Sequence, residues 1–249
     1  MKPKVAFFDF ASCEGCQLQI ANLEEDIIDL IKLVDIVSFR EVMKEHSEYY
    51  DIAIVEGSIV RPIDEKRLQW IRGRCNILVA MGACAHIGGV NSLRNQFSVK
   101  EANLMVYGDI DIKGNPYFEA SKLKTLDEVV KVDYYIPGCP IDKKEFVRFM
   151  TALAVGKIPR LPNYPVCVEC KAKENICVFD EGGFCLGPVT RAGCDARCPT
   201  NGDGCKGCRG FIDDPNINSA IEILQKHGLS LEDALDKFNL FCYKEGVKL

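Results

Sequence analysis

The sequence predicts an α/β fold: a flavodoxin-like doubly wound parallel sheet, followed by an irregular, cysteine-rich domain with short helices. Three observations lead there. Short β-branched or aromatic runs alternate with segments of helical spacing through the first part of the chain, the pattern of buried parallel strands joined by right-handed crossovers. Pro159, Pro162 and Pro165 then forbid regular structure and place a boundary near residue 160, dividing the chain into 1–160 and 161–249. Beyond it, cysteine, glycine and proline dominate as far as residue 210.

Residues 5–10 (VAFFDF), 34–39 (VDIVSF), 51–55 (DIAIV) and 76–81 (NILVAM) form the expected strands, with a fifth around Tyr134 to Ile136. Between the first two, Ile20, Leu23, Ile27 and Ile31 recur at three- and four-residue steps among Glu24, Glu25, Asp26 and Asp29, an amphipathic helix. Asp64 is expected to cap a helix carrying Leu68 and Ile71 that Gly73 ends. Asp142 and Glu145 resemble a capping box, opening a helix whose apolar face is Phe146, Phe149, Met150 and Leu153 and which stops before Gly156. In the tail, Ile217, Ile221 and Leu224 precede Gly228, and Ser230 with Asp233 caps a last helix bearing Leu235 and Phe238. Trp70 and the phenylalanines at helical spacing are expected in the core.

Length and composition narrow the function. At 249 residues the chain can bury a substantial core, so its 14 cysteines are not compensating for small size. "MKPKVAFFDF" runs directly into a strand without an export signal, which predicts a cytoplasmic location, and no apolar run approaches bilayer length. In a reducing compartment dense cysteines point to metal before disulfides. The net charge of -5, spread without a basic stripe, makes nucleic acid an unpromising partner.

Four thiols fall at the carboxyl ends of strands, where ligands bind in open α/β sheets. "DFASCEGC" supplies Cys13 and Cys16, "VAMGACAHIGG" supplies Cys84 and "YIPGCP" supplies Cys139, with Gly15, Gly82, Gly88, Gly89 and Gly138 allowing close backbone approach. The competing reading makes Cys84 and Cys139 small buried residues and the CxxC a redox or zinc half-site. Eight further cysteines divide economically into Cys167, Cys170, Cys177 and Cys185 and into Cys194, Cys198, Cys205 and Cys208, each set with a CxxC at the outer end; exchange of a ligand between sets stays open. Zinc competes for any four-thiolate site. Prolines after Cys139 and Cys198, and three residues after Cys185, favour iron–sulfur clusters, as does a total of three complete sets with Cys75 and Cys242 left as structural thiols.

Taken in order, "SCEGCQ", "VEGSI", "GACAHIGGV", "IPGCP" and "CLGPVTRAGC…CPTNGDGCKGCRG" resemble the small, electron-transferring subunit of nickel–iron hydrogenases, in its cytoplasmic multisubunit (delta-type) form, from residue 4 to about 210. The resemblance implies a proximal 4Fe-4S cluster on Cys13, Cys16, Cys84 and Cys139, facing the nickel–iron site of a large subunit. It implies a medial 4Fe-4S cluster on Cys194, Cys198, Cys205 and Cys208 and a distal one on Cys167, Cys170, Cys177 and Cys185. Periplasmic relatives carry a histidine near Cys167 and a proline near Cys198; all-cysteine ligation here implies a medial 4Fe-4S in place of 3Fe-4S and lower potentials. Those suit a nicotinamide or flavin, ferredoxin-like or heterodisulfide-reductase-type partner. Ile141 stands where the family often has a second proline. Every CxxC belongs to a cluster set, so hydrogen chemistry is expected on the partner, with no direct membrane insertion of this chain.

Glu56 and Glu14 lie near the proximal ligands and are candidates for proton relay or interface contact, against a simpler role as capping or solvated carboxylates. His86 could donate to a cluster sulfide or be an ordinary loop histidine; His46 and His227 read as surface groups. The alternatives are a small iron–sulfur subunit of a complex-I-like oxidoreductase, disfavoured by the missing tandem cysteine, and a zinc-stabilised binding module.

Overall fold

The computed structural model describes every residue except 1, 111, 113, 116, 117 and 244–249. Five parallel strands, β1 (Lys4–Asp9), β2 (Asp35–Ser38), β3 (Ile52–Glu56), β4 (Ile77–Met81) and β5 (Tyr134–Ile136), lie in the order β2-β1-β3-β4-β5. This is the flavodoxin-like order, with its switch point between β1 and β3. Alternation along the strands feeds two cores. Val5, Phe7, Ile52, Ile54, Val79, Met81 and Ile136 face one side, while Ala6, Ala53, Val55, Leu78 and Ala80 face the other.

The segment after β1 forms two helices, α1 (Gly15–Ala21) and α2 (Asp26–Leu33), where the apolar spacing predicts one. Glu24 interrupts it with φ 56°, and the turn rotates the second apolar face, so Leu30 is buried while Ile31 is 47% exposed. Helix α3 (Pro62–Arg72) starts from Arg61 with Pro62 in its first position, so Asp64 is not its cap. Asp64 instead sits buried in the first turn and pairs with Arg61 at 2.8 Å. Trp70 is also displaced from expectation: it stands on the solvent side of α3, 41% exposed, with Arg74 stacked 3.8 Å over its ring. Leu68 and Ile71 alone carry the α3 face into the core.

Helix α4 (Gly82–Ile87) follows β4 without a break, and α5 (Val99–Tyr107), capped by a Ser98–Glu101 box, leads toward β5. Helix α6 (Lys143–Ala154) covers the first core face with Phe146, Phe149, Met150 and Leu153; Phe146 lies 6.4 Å from Phe7, which stacks on Phe39. Asp142 caps α6 by accepting from the Glu145 amide at 2.9 Å, but Glu145 does not reach back to close a box. Its carboxylate is used elsewhere.

After the prolines, α7 (Val166–Ala172) and α8 (Arg197–Thr200) interrupt the irregular cysteine-rich stretch. Helices α9 (Ile217–Lys226) and α10 (Leu231–Asn239) then pack Ile221, Leu224, Ala234 and Phe238 against Leu186 and Val189. Ser230 caps α10 through the Asp233 amide at 3.0 Å. Among the described residues no helix is long and apolar enough to cross a membrane.

Replacing Phe146 by Ala empties a fully buried site between sheet and α6 and is expected to cost about 3–5 kcal/mol. Trp70→Ala, at an exposed cation–π pair, is expected to cost about 1 kcal/mol or less. Denaturant midpoints of the two variants in the same preparation check the ranking.

Candidate metal centre

Sheet register brings the strand ends level. Asp9 pairs with Glu56, Glu56 with Met81, and Met81 with Ile136, so the loops after β1, β4 and β5 leave from one edge. Cys13 and Cys16 follow β1, Cys84 lies in the first turn of α4, and Cys139 follows β5. The Ala83 amide donates to the Gly138 carbonyl at 2.7 Å and ties the last two loops together. Burial first, and then the neighbouring Cys139 and Cys13 thiols, push the Cys84 thiol up, and Cys139 adds to the rise at Cys16.

Glu56 ends β3, 2% exposed, and its two oxygens accept from the amides of Cys16 (3.1 Å) and Gln17 (3.0 Å) at the start of α1. A buried carboxylate thus orients the helix turn that carries Cys16, matching the amide-rich N-terminus. Burial pushes its carboxyl up while these bonds hold it down. Glu14 takes the left-handed conformation before α1, with φ 58°; burial first and the Glu41 carboxylate next push its pKa up. Gly82, at φ +85°, lies against Cys16: a Cβ there would stand 2.5 Å from the sulfur. The His86 ring packs on Tyr135, with centroids 4.4 Å apart, and His46 and His227 are exposed.

In the second half, Cys167, Cys170, Cys177 and Cys185 together line one cavity of about 80 Å³, closed by Val166, Val178, Phe179 and two prolines. Its remaining walls are largely apolar, with Lys171 also in the lining. Gly187 fits beside it because a Cβ would meet the sulfurs of Cys185 and Cys167 at 3.1 and 3.4 Å, and the Gly187 and Cys205 amides donate to the Cys185 sulfur at 3.3 and 3.2 Å. Four thiols around a small cavity, with amides aimed at sulfur, fit an inorganic cluster. The thiol charges of Cys194 and Cys198 act on Cys208, and that of Cys208 acts on Cys205. Glu169, between the two thiols of α7, accepts from the Gly193 amide (2.8 Å) and the Ala196 amide (3.1 Å), clamping the loop of Cys194.

Burial pushes the thiols of Cys84 and Cys205 up to about 12 and those of Cys167 and Cys208 up to about 11, and neighbouring thiols add to it. So many buried thiols become thiolates together only when a positively charged centre compensates them, with release of protons.

Sequence patterns overlooked the groups that hold these loops. Arg209 is 1% exposed and donates to Glu145, to the Pro137 carbonyl and to the carbonyls of Arg191 and Ala192. In sequence Glu145 reads as half of a capping box with Asp142. The one available signal for Arg209 was its position directly after Cys208 in "CKGCRG".

Residues 13–153, more than half of the chain, match the family described as NADH ubiquinone oxidoreductase, 20 Kd subunit. The delta subunit of sulfhydrogenase 2 from Pyrococcus furiosus is 37% identical over 225 residues, covering 90% of this chain and 92% of the relative. An F420-non-reducing hydrogenase vhu subunit of Methanocaldococcus jannaschii is 33% identical, over 98% and 96% of the two chains. The chain belongs to this family, as a hydrogenase small subunit. A chain of a solved NAD+-reducing [NiFe]-hydrogenase has 29% identity and a TM-score of 0.58, over 65% of the present chain and 96% of its own. The small subunit is therefore part of an oxidoreductase: it carries iron–sulfur chemistry and assembles with a large subunit on which hydrogen is handled. The family description also covers the complex-I-like alternative, but the relatives that match nearly full length are hydrogenase subunits.

Glu56→Ala would strand the amides of Cys16 and Gln17 in the interior and is expected to lower stability by about 2 kcal/mol or more. Gly82→Ala places a methyl on the Cys16 sulfur in a strained backbone and is expected to reduce iron content of the purified subunit. Thermal melts and iron assay of the two variants beside the parent protein measure both effects.

Proposed function

We propose that this small subunit is an electron relay carrying three 4Fe-4S clusters in a cytoplasmic nickel–iron hydrogenase. The proximal cluster is held by Cys13, Cys16, Cys84 and Cys139, the medial by Cys194, Cys198, Cys205 and Cys208, and the distal by Cys167, Cys170, Cys177 and Cys185. The observation that carries this reading is the continuity of the three sets. Arg209, directly after Cys208, donates to the Pro137 carbonyl two residues before Cys139, joining the first set to the second, and the Cys205 amide donates to the Cys185 sulfur, joining the second to the third. Such neighbouring sites let electrons pass in single steps, and the order agrees with the medial and distal assignments.

Iron–sulfur clusters suit these sites better than zinc. A zinc ion would draw four thiolates to about 2.3 Å from one point. Among the described residues no three Cys, His, Asp or Glu side chains converge as ligands of a single ion, whereas four thiols do surround the distal cavity. When bound, the clusters supply one-electron storage; the protein's part is to hold the thiolates, keep water out and aim amides at sulfur. A division of labour near residue 160 follows, with 1–160 placing the proximal site and 161–249 the other two.

The electron partner docks at the distal end. The sulfhydrogenase and F420-non-reducing relatives match over 90% and 98% of this chain, whereas the delta subunit of the NAD-reducing hydrogenase of Cupriavidus necator covers 65% of it. The second half therefore belongs with the longer relatives, and a separate ferredoxin-like, flavin or heterodisulfide-reductase-type subunit is the acceptor favoured here.

Anaerobic purification of the native assembly is expected to give about twelve iron and twelve sulfide per small subunit, together with a nickel-containing large subunit. Cys16→Ser, Cys198→Ser and Cys170→Ser are each expected to remove about four iron. Zinc without acid-labile sulfide, or iron unaffected by one of these substitutions, would overturn the corresponding assignment.

A further inference from the structure

We propose that Arg209, with Glu145, is a positioning residue for electron transfer: its buried guanidinium locks the Cys139 loop against the Cys194 loop, and the pair's charges set the reduction potential of the cluster held by Cys194, Cys198, Cys205 and Cys208. The inference rests on the cluster assignment above and assigns these two side chains a role in it.

Arg209 is the largest fully buried side chain among the described residues. Its Nε donates to the carbonyls of Ala192 (2.9 Å) and Arg191 (3.2 Å), immediately before the Cys194 turn. Nη1 donates to the carbonyl of Pro137 (2.8 Å), two residues before Cys139, and Nη2 to Glu145 Oε1 (2.7 Å) on α6. One planar group therefore ties together the sheet edge, the first turn of α6 and two ligand loops, and its own backbone follows a third ligand, Cys208. Gly193, at φ +114°, crosses so closely that a Cβ would fall onto both Arg209 and Glu145. The chain is shaped around the pair.

A pair serving packing alone could be replaced by apolar side chains at little cost. This one is arranged differently at its two ends. The guanidinium has four acceptors and lies toward the thiols, whereas Glu145 lies on the helix side, and its Oε2 has no hydrogen-bond partner among the described residues. The Arg209 Nε sits on the carbonyls of Ala192 and Arg191, two and three residues before Cys194, and its backbone adjoins Cys208. In a low-dielectric interior both charges act at a distance with little screening. A cluster held by Cys194, Cys198, Cys205 and Cys208 would gain one negative charge on reduction, with no bond or proton change. Arg209 stabilises that reduced state and Glu145 opposes it.

The test is redox titration of the intact hydrogenase followed by electron paramagnetic resonance, with the medial signal identified by its loss in Cys198→Ser. Arg209→Met is expected to shift the medial potential down, Glu145→Gln to shift it up, and the double variant to fall between them. Shifts of the same sign, or no shift, would overturn the inference, because a purely structural role has no reason to follow the sign of the charge removed. Should Arg209→Met fail to assemble, Glu145→Gln decides alone: it keeps three of the four guanidinium bonds, and an unmoved or lowered potential refutes the proposal. A parent enzyme with no signal sensitive to Cys198→Ser would refute the cluster assignment itself, a result distinct from an unmoved potential.

Discussion

The arrangement of this protein depends on the parallel register of β1, β3, β4 and β5. Because Asp9, Glu56, Met81 and Ile136 end their strands side by side, three loops distant in sequence begin at one level and deliver four thiols to one edge. Register is enforced by burial on both faces: a one-residue slip would move Phe7, Ile54 and Val79 out of one core and into the other, where alanines now allow helix α3 to approach. The sheet is thus a gauge for ligand placement, and its hydrophobic energy holds a site that has little apolar material of its own.

Beyond the sheet, buried carboxylates take over. Glu56 accepts from amides beside Cys16, Glu169 from amides flanking Cys194, and Glu145 from Arg209 beside Cys208. Each occupies the place where an irregular loop would otherwise leave donors unsatisfied, the usual obstacle to burying non-repetitive chain. These bonds shape irregular segments that regular backbone pairing does not hold. They also place fixed charges within the reach of the thiols, so the scaffold is part of the electrostatics of the sites.

The comparisons fit this division. The family match ends at residue 153, after the sheet and most of α6. The two curated relatives cover 90% and 98% of this chain, whereas the solved NAD+-reducing hydrogenase chain covers 65% of it.

Much of this was legible without coordinates. Short β-branched or aromatic runs, glycine and proline breaks and cysteine spacing are local signals, so the sequence by itself determined five strands, the change of character near 160, the tail helices and which thiols are available. Local signals failed where a side chain answers to something distant. Trp70 has the spacing of a core residue but faces solvent because Leu68 and Ile71 already fill the α3 face; Asp64 pairs with Arg61 because Pro62 begins the helix; Glu145 abandons a capping box for an arginine 64 residues away. Only the tertiary structure decided which loops touch, that the Cys205 amide reaches the Cys185 sulfur, and that one buried guanidinium fastens the loop before Cys139 to the loop before Cys194. Those contacts form between segments with no common period, and chain packing in three dimensions is the only thing that selects them.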